Sequence, residues 1–277
     1  MFHINDSRLV DRTLSTIGLA LLLASGLAYA QPAKDYEPSV GQQGKDVVWV
    51  PTPQALVEKM LDMAKVTPKD YVIDLGSGDG RTVITAAKRG ATAQGIEYNP
   101  DMVDLSKRNA AKEGVTDKAT FTKADLFQSD FSQATVITMF LLPSINIKLR
   151  PKILDLKPGT RIVSNSFDME DWKSDEDATV NGCDHWCTAH LWIVPAKVGG
   201  TWKLPQGDLT LKQTFQMVSG NMKSGNVITP VNGQLNGDQI TFTAGGTQYT
   251  GRVNGNSMEG TIKGGSNGNW TATRAGK

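Results

Sequence analysis

The chain has 277 residues and a formal net charge of +1, from 29 Lys and Arg against 28 Asp and Glu. A chain of this length holds one or two domains, and the charge balance argues against a partner bound mainly by electrostatics, such as bulk nucleic acid. Two cysteines are too few for a disulfide-framework protein. No uncharged run beyond the N-terminal segment is long enough to span a bilayer, which excludes a polytopic membrane protein.

Residues 1–30 have the composition of a secretory signal peptide. Two arginines precede an apolar core over residues 17–27, and a small-x-small cleavage pattern ends at Ala30. We therefore expect cleavage and a protein that is exported to the periplasm or secreted. The alternative is an uncleaved leader that anchors the protein to the inner membrane, because the uncharged stretch over residues 13–33 is just long enough to span it.

The rest of the chain has two composition regimes. Residues 31–46 are polar and predict a linker, and residues 47–199 alternate short apolar runs with helical patterns. Residues 201–277 carry 14 of the 28 glycines and few charges. We therefore predict a boundary near Gly199, between an α/β domain and a glycine-rich β domain over residues 200–277.

The first domain has alternating strand and helix patterns. Strands are predicted at residues 71–75, 93–98, 120–123, 135–142, 159–164 and 190–194. Helices are predicted from Pro53, with Thr52 as the N-cap, and over residues 82–89, 100–113 and 147–156. Strands separated by helices indicate βαβ units, so we predict a Rossmann-like, doubly wound, mostly parallel sheet.

The second domain has no helical period. Apolar residues alternate with polar ones, and Asn-Gly pairs such as Asn232-Gly233 separate the alternating runs. Asn-Gly suits tight hairpin turns, in which both central residues have positive φ. We predict a small antiparallel all-β domain of five to seven strands, which serves either as a stabilising appendage or as a binding module.

A glycine loop carries the first chemical signal: Asp74-Leu75-Gly76-Ser77-Gly78-Asp79-Gly80-Arg81. The loop follows a predicted strand and opens a helix, so its glycines and free N–H groups allow a ligand to approach the backbone closely. A dinucleotide fingerprint would need glycine where Arg81 stands. The loop therefore favours the amino-acid part of a ligand over a pyrophosphate.

Two acids follow the next two predicted strands. Glu97 ends the second strand, where a carboxylate can accept hydrogen bonds from both hydroxyls of a ribose. Asp125 follows the third strand and can accept from an adenine amino group, with Leu126 and Phe127 packed beside the ring. Open α/β sheets bind their ligands at the carboxyl ends of the strands, which is where all these acids lie.

The glycine loop with its two downstream acids resembles the class I S-adenosylmethionine-dependent methyltransferases. Further segments are similar to one subgroup, which includes the ATP-synthase c-subunit lysine N-methyltransferases and their bacterial relatives. Besides the glycine loop, these segments are VPTP at 50–53, Leu61, ATV at 134–136, FLLP at 140–143, KPGTR at 157–161 and LWIVPA at 191–196. The similarity covers roughly residues 47–202.

This resemblance implies S-adenosyl-L-methionine as the cofactor and methyl transfer to an amine, with a protein lysine as one candidate acceptor. It implies cofactor binding by Asp74, Gly76, Ser77, Gly78, Gly80, Glu97 and Asp125. It places Thr52, Phe140, Leu142 and Pro143 beside the acceptor. No general base is evident, so the catalytic residues stay unassigned.

The chain departs from that subgroup at two places near the acceptor. Relatives often carry Tyr where Phe140 stands, and His-Asp or His-Asn where Asn165 and Ser166 stand. Both departures fall at the ends of predicted strands that line the mouth of the active site. We therefore expect this chain to differ from the subgroup in its acceptor more than in its cofactor. The sequence predicts no nucleic-acid partner, and membrane contact only through an uncleaved leader.

Export raises a second hypothesis, because S-adenosylmethionine is a cytoplasmic metabolite. The alternative is an exported binding protein that keeps the methyltransferase fold without catalysis. A nicotinamide-dependent oxidoreductase is disfavoured by Arg81, which breaks the dinucleotide fingerprint.

Both cysteines lie in one short segment with two histidines, Cys183-Asp184-His185-Trp186-Cys187-Thr188-Ala189-His190. The pattern is compatible with a disulfide, with free thiols or, last in order, with a zinc site, and we predict no metal. In an extended strand the two cysteines would lie about 13 Å apart, so the segment must turn for either of the linked states.

Overall fold

The computed structural model describes residues 36–264 and 267–276, so the predicted signal peptide lies outside the described residues. Within the described residues, the first part of the fold has four helices: α1 (Gln54–Met63), α2 (Arg81–Lys88), α3 (Pro100–Lys112) and α4 (Pro143–Leu154). It also has seven strands: β1 (Tyr71–Leu75), β2 (Thr92–Glu97), β3 (Ala119–Lys123), β4 (Val136–Met139), β5 (Arg161–Asn165), β6 (Glu176–Thr179) and β7 (Thr188–Ile193).

The seven strands form one sheet in the order β3-β2-β1-β4-β5-β7-β6. Strands β1 to β5 run parallel, and β7 pairs antiparallel with β5 and with β6. Successive residues of β1 point to opposite faces, so Val72 packs with the cluster of α1 and α2, and Ile73 with that of α4. The structure confirms the predicted Rossmann-like, mostly parallel sheet.

Three local predictions are corrected. Thr52 is not the N-cap of α1, because Pro53 holds that position without a side-chain capping bond, while Thr52 Oγ1 accepts from Asn165 Nδ2 at 3.2 Å. Helix α4 begins four residues earlier than predicted, at Pro143, because proline fits the first turn of a helix. Strand β6 was not predicted, because its sequence EDAT lacks an apolar alternation.

The second part of the fold is a closed antiparallel barrel of eight strands, in the order β10-β11-β12-β13-β14-β15-β8-β9. Its strands are β8 (Gly200–Leu204), β9 (Gly207–Thr214), β10 (Met217–Ser224), β11 (Val227–Asn236), β12 (Gln239–Ala244), β13 (Thr247–Asn254), β14 (Ser257–Lys263) and β15 (Gly268–Arg274). The all-β character is confirmed, but the predicted count of five to seven strands is wrong. Closure pairs β8 with β15, a contact between distant segments that no local pattern records.

Large side chains fill the interior of the barrel. Trp202, Phe242 and Trp270 are almost fully buried, and the rings of Phe242 and Tyr249 stack at 4.7 Å. Gly251 makes room for this packing, because a Cβ there would lie 2.6 Å from the Trp270 ring. The interior of the barrel is therefore a packed core.

The barrel packs against the α4 and β7 side of the sheet domain. The backbone N–H of Ala196 donates to the carbonyl of Gly237 at 2.8 Å, and Gln216 Nε2 donates to the carbonyl of Lys173 at 2.8 Å. The ring of Phe215 stacks on Trp172 at 5.7 Å. None of the helices formed by the described residues is long and apolar enough to cross a membrane.

A polar network ties the amino ends of the three central strands together. Asp70, just before β1, accepts from Thr135 Oγ1 at 2.7 Å and forms an ion pair with Arg161, the first residue of β5. Burial alone would raise the pKa of Asp70. The hydrogen bonds from Thr135, Arg161 and the Thr67 backbone outweigh it and hold that pKa below its usual value.

We predict that Asp70→Asn lowers the free energy of unfolding at pH 7 by about 2 kcal/mol, below the about 3–5 kcal/mol of a fully buried pair because Arg161 is partly exposed. Since the folded-state pKa is depressed, the stabilisation is complete above the ordinary carboxyl pKa and is lost as the pH falls through the folded value. The difference between variant and wild type should therefore shrink below about pH 4. Urea unfolding across this range measures both effects.

Asp62→Asn is the matched control. Asp62 pairs with Arg89 at an exposed position, so this substitution should lower the free energy of unfolding by less than about 1 kcal/mol. Equal losses in the two variants, or a loss at Asp70 that does not change with pH, would contradict the network.

Candidate active site

A cavity of about 430 Å³ lies at the carboxyl edge of the parallel strands. Its wall contains residues from the loops that follow β1, β2, β3, β4 and β5. Residues 42–52 form another part of the wall, including residues 42–46 of the predicted linker. The parallel sheet thus gathers side chains that are far apart in the sequence into one site.

The glycine loop forms the floor of this cavity. Gly76 and Gly78 have φ values of +79° and +53°, which are strained for other residues. A Cβ on Gly78 would lie 2.7 Å from Trp49 Nε1, so only glycine leaves the indole in its place. Ser77 Oγ is buried without a hydrogen-bond partner among the described residues. The loop thus combines open backbone with an unsatisfied hydroxyl, as a ligand cradle does.

Glu97 connects the end of β2 to the glycine loop. One carboxylate oxygen accepts from the backbone N–H of Gly78 at 3.0 Å, and the other accepts from the N–H of Asn99 at 2.9 Å. These bonds fix the carboxylate at the cavity wall. Because each carboxylate oxygen accepts more than one bond, Glu97 retains acceptor capacity for hydroxyl groups.

Asp74 is the next-to-last residue of β1, just before the glycine loop, and is almost fully buried. Its Oδ1 accepts from Thr138 Oγ1 at 2.7 Å. Burial raises the pKa of Asp74 to about 7; the Thr138 bond opposes the rise, and the neighbouring Glu97 and Asp79 add to it. A cationic ligand beside Asp74 would therefore favour the ionised carboxylate.

Arg81 makes a two-pronged ion pair that the sequence did not predict. Its Nε and Nη2 donate to the carboxylate of Asp79 at 3.0 and 2.6 Å. Its Nη1 donates to the carbonyl of Thr52 at 2.8 Å. Arg81 thereby joins the glycine loop to the chain segment that leads into α1, and it neutralises one acid of the cavity.

Asp125 is engaged by a residue from the predicted linker. Lys45 Nζ lies 2.7 Å from Asp125 Oδ2 and 4.7 Å from the centre of the Tyr98 ring. The hydrogen bond from Lys45 is the main cause that lowers the pKa of Asp125, with a further bond from the Phe127 N–H. Lys45 therefore competes with a ligand amino group for this carboxylate.

The predicted acceptor residues divide into two groups. Thr52, Phe140 and Leu142 line the cavity, whereas Pro143 begins α4 and is not part of the wall. Of the predicted cofactor residues, only Gly80 is outside the wall. It precedes α2 with a φ of +83°, and a Cβ there would lie 2.8 Å from the Phe121 ring. Its structural role is therefore the turn into the helix.

Two aromatic side chains that the sequence did not mark stand beside Phe140. The three rings of Phe140, Phe167 and Trp186, here called the aromatic cluster, all line the cavity with centroids 5.2–5.9 Å apart. Phe167 follows β5, and Trp186 lies in the turn before β7. Only the fold brings them together, so no local motif marked them.

Cys183 and Cys187 form a disulfide with a Cα–Cα distance of 5.8 Å. It closes the turn between β6 and β7, which satisfies the expectation that this segment bends. Within residues 36–264 and 267–276, no group of three or more His, Cys, Asp or Glu side chains is placed to hold a metal ion. The disulfide is thus the state found among the three left open by the sequence.

Comparison with known proteins identifies the family. A model described as the ANTKMT methyltransferase domain matches residues 74–176. A protein-lysine N-methyltransferase of Saccharolobus islandicus (strain REY15A) is 43% identical over 151 residues, covering 53% of this chain and 94% of the relative. The chain belongs to the class I S-adenosylmethionine-dependent methyltransferases. This confirms the family that the glycine loop and its downstream acids predicted.

Two further relatives extend the comparison. The ATP-synthase c-subunit lysine N-methyltransferase of Homo sapiens is 35% identical over 137 residues, covering 49% of this chain and 58% of that protein. The crystal structure of an RNA methyltransferase from Salinibacter ruber in complex with S-adenosyl-L-homocysteine is 45% identical with a TM-score of 0.51. That match covers 54% of this chain and 96% of the other.

The residues of the methyltransferase cavity fit S-adenosylmethionine. Gly76 and Gly78 present backbone without a side chain, and the buried hydroxyl of Ser77 has no hydrogen-bond partner among the described residues. Asp74 and Glu97 provide acceptors on either side of the glycine loop. S-Adenosylmethionine is therefore the cofactor of this enzyme.

We predict that Gly78→Ala weakens S-adenosylhomocysteine binding by at least about 10-fold, because the new Cβ displaces the Trp49 indole, which lines the cavity. Gly114→Ala is the matched control, since Gly114 has a φ of +69° with no atom within 4 Å of an added Cβ. Both variants should lose about 1–2 kcal/mol of stability through the positive φ. Titration calorimetry separates the two effects, and equal affinities in the two variants would contradict the cradle.

Proposed function

We propose that this methyltransferase methylates an amine, the ε-amino group of a protein lysine. The charge of the cavity carries the proposal. Of the described residues that line it, five are acidic, namely Asp46, Asp74, Asp79, Glu97 and Asp125, and two are basic, namely Lys45 and Arg81. Both basic side chains form ion pairs with those acids. A cavity of negative charge attracts an ammonium group and repels a phosphodiester.

The apolar side of the cavity suits the chemistry of a lysine acceptor. Lysine must lose its proton before it can act as a nucleophile, and its ordinary pKa is about 10.4. Leu141 and Leu142 form an apolar wall segment, and burial among apolar groups disfavours the charged amine. S-Adenosylmethionine supplies a methyl group that its sulfonium already activates. The protein therefore acts mainly by aligning the amine, which can contribute about 7–11 kcal/mol.

The names of relatives point to two acceptor classes. The Saccharolobus and human proteins are named lysine N-methyltransferases, and the Salinibacter structure is titled an RNA methyltransferase. The acidic cavity favours lysine, since RNA recognition usually relies on basic surface. RNA is accordingly the competing outcome of the test.

We predict that the enzyme transfers label from S-adenosyl-[methyl-³H]methionine to protein when it is incubated with an extract of periplasmic and membrane proteins. The label should resist ribonuclease, be removed by protease and map to lysine by mass spectrometry. Asp74→Ala is the negative control, because it removes the buried acceptor beside the glycine loop. If ribonuclease releases the label, the acceptor is RNA and not a protein lysine. Absence of any label, with S-adenosylhomocysteine binding intact, would contradict transfer to either.

We also propose that the protein works outside the cytoplasm, in the periplasm or in a secreted form. The proposal is supported by the leader composition of residues 1–30 and by the Cys183–Cys187 disulfide, since disulfides persist mainly in oxidising compartments.

We predict that the protein recovered from the periplasmic fraction begins at Gln31. Ala30→Leu should leave the precursor uncleaved and in the membrane fraction, because cleavage needs a small residue at that position. N-terminal mass spectrometry of each fraction tests this, and an intact wild-type N-terminus in the cytoplasm would overturn the proposal.

A further inference from the structure

We propose that the Cys183–Cys187 loop presents Trp186 as an acceptor-binding residue, which completes with Phe140 and Phe167 a binding surface for an alkylammonium group. This inference rests on the proposed amine acceptor and adds to it a specific recognition element. It also gives a role to the cysteine segment, which the cofactor site does not use.

The topology places this loop at the active-site edge of the sheet. Strand β7 runs antiparallel to β5, with Ala189 opposite Asn165. The start of β7 therefore lies beside the end of β5, at the carboxyl edge of the sheet, where the loops after the parallel strands line the cavity. The backbone N–H of Ser166 donates to the carbonyl of Thr188 at 2.7 Å, which holds the β6–β7 turn against the chain that leads to Phe167.

The disulfide determines how Trp186 is displayed. It closes a five-residue loop at the tip of the β6–β7 hairpin, and the N–H of Val180 bonds to the carbonyl of Cys187 at 3.0 Å across the base of that loop. Trp186 has a φ of +60°, a left-handed conformation that bulky residues rarely adopt. The loop thus holds a tryptophan in an unfavourable backbone conformation, with its ring directed at the cavity.

The aromatic cluster has the composition of a cation-binding surface. The ring of Trp186 lies 5.8 Å from that of Phe140 and 5.2 Å from that of Phe167, tilted against both. The Trp186 side chain remains 43% exposed although the cluster lines the cavity. Faces of aromatic rings attract ammonium groups, and tryptophan does so most strongly. Methylated ammonium groups are bound in this way, because their charge is spread and their hydration is weak.

The surrounding charges favour the same ligand. The basic residues among the described cavity lining, Lys45 and Arg81, are both held in ion pairs with acids of the wall. Among the described residues of the cavity wall, none therefore presents an unpaired positive charge to an ammonium group at the aromatic cluster. Such a group enters a cavity in which acids outnumber bases.

The test compares a cation with a neutral molecule of the same shape. The probes are the Nα-acetyl amide of trimethyllysine and its analogue in which carbon replaces the quaternary nitrogen. Each is titrated by calorimetry into the full protein saturated with S-adenosylhomocysteine. We expect the cation to bind at least about 5-fold more tightly than the neutral analogue.

Variants then assign the preference to the loop. Trp186→Ala should lower the charge preference at least about 3-fold, to what the acids of the wall and the two remaining rings provide, and Trp186→Phe should lose less of it. The double variant Cys183→Ser with Cys187→Ser should behave like Trp186→Ala, because the ring is no longer held. Val227→Ala, an exposed apolar residue of β11, is the control and should bind both probes as the wild type does. Unchanged S-adenosylhomocysteine affinity in every variant shows that the cofactor site is intact.

The outcomes separate this inference from the proposed reaction. Equal binding of both probes by the wild type, or a charge preference that Trp186→Ala leaves unchanged, overturns the inference even if the enzyme methylates lysine. A preference that depends on Trp186 but persists in the double cysteine variant overturns the role of the disulfide. A Trp186-dependent preference in a protein that methylates no lysine supports the cation site and contradicts the lysine acceptor.

Discussion

The register of β1 between β2 and β4 is the constraint on which the active site depends. Asp74 lies opposite Gly95 on one side and Thr138 on the other, and Thr138 donates the hydrogen bond that holds the buried carboxylate. Gly95 matters because a Cβ there would lie 2.5 Å from Ser77 Oγ, which occupies that space. A slip of one residue would turn the side chains of β1 to the other face and separate these partners.

The two edges of the sheet divide stability and function between them. At the amino edge, Asp70, Thr135 and Arg161 join β1, β4 and β5 through an ion pair and hydrogen bonds. At the carboxyl edge, the same strands end in loops that form the cavity. At the amino edge, each polar side chain of the network has a hydrogen-bond or ion-pair partner. At the carboxyl edge, the buried Ser77 hydroxyl has no partner among the described residues, and the pKa of Asp74 is raised. Such unsatisfied or shifted groups are what a binding site requires.

The sequence predicted those features whose cause is local. Strand β1 was found at its observed bounds, because it is a short apolar run followed by glycines, and Glu97 and Asp125 reached the cavity because they follow strand ends. What the sequence did not predict depends on distant segments. Lys45 meets Asp125 only in the folded chain, and the closure of the barrel joins β8 to β15. The cysteine pair could not be resolved from spacing alone, because its state depends on a turn whose geometry the sequence left open.

The eight-stranded barrel follows the methyltransferase sheet in this chain, and the shorter Saccharolobus relative has too few residues to contain both. The Saccharolobus protein aligns over nearly all of its own length yet covers only 53% of this chain. The interior of the barrel is filled by side chains, and its surface meets the sheet domain. That surface contacts the chain just before β6, through Phe215 on Trp172 and Gln216 on the carbonyl of Lys173. Strand β6 leads directly into the disulfide loop. The barrel therefore packs against the chain that leads into the hairpin with Trp186 at its tip, and under the proposal above it supports acceptor binding without touching the acceptor.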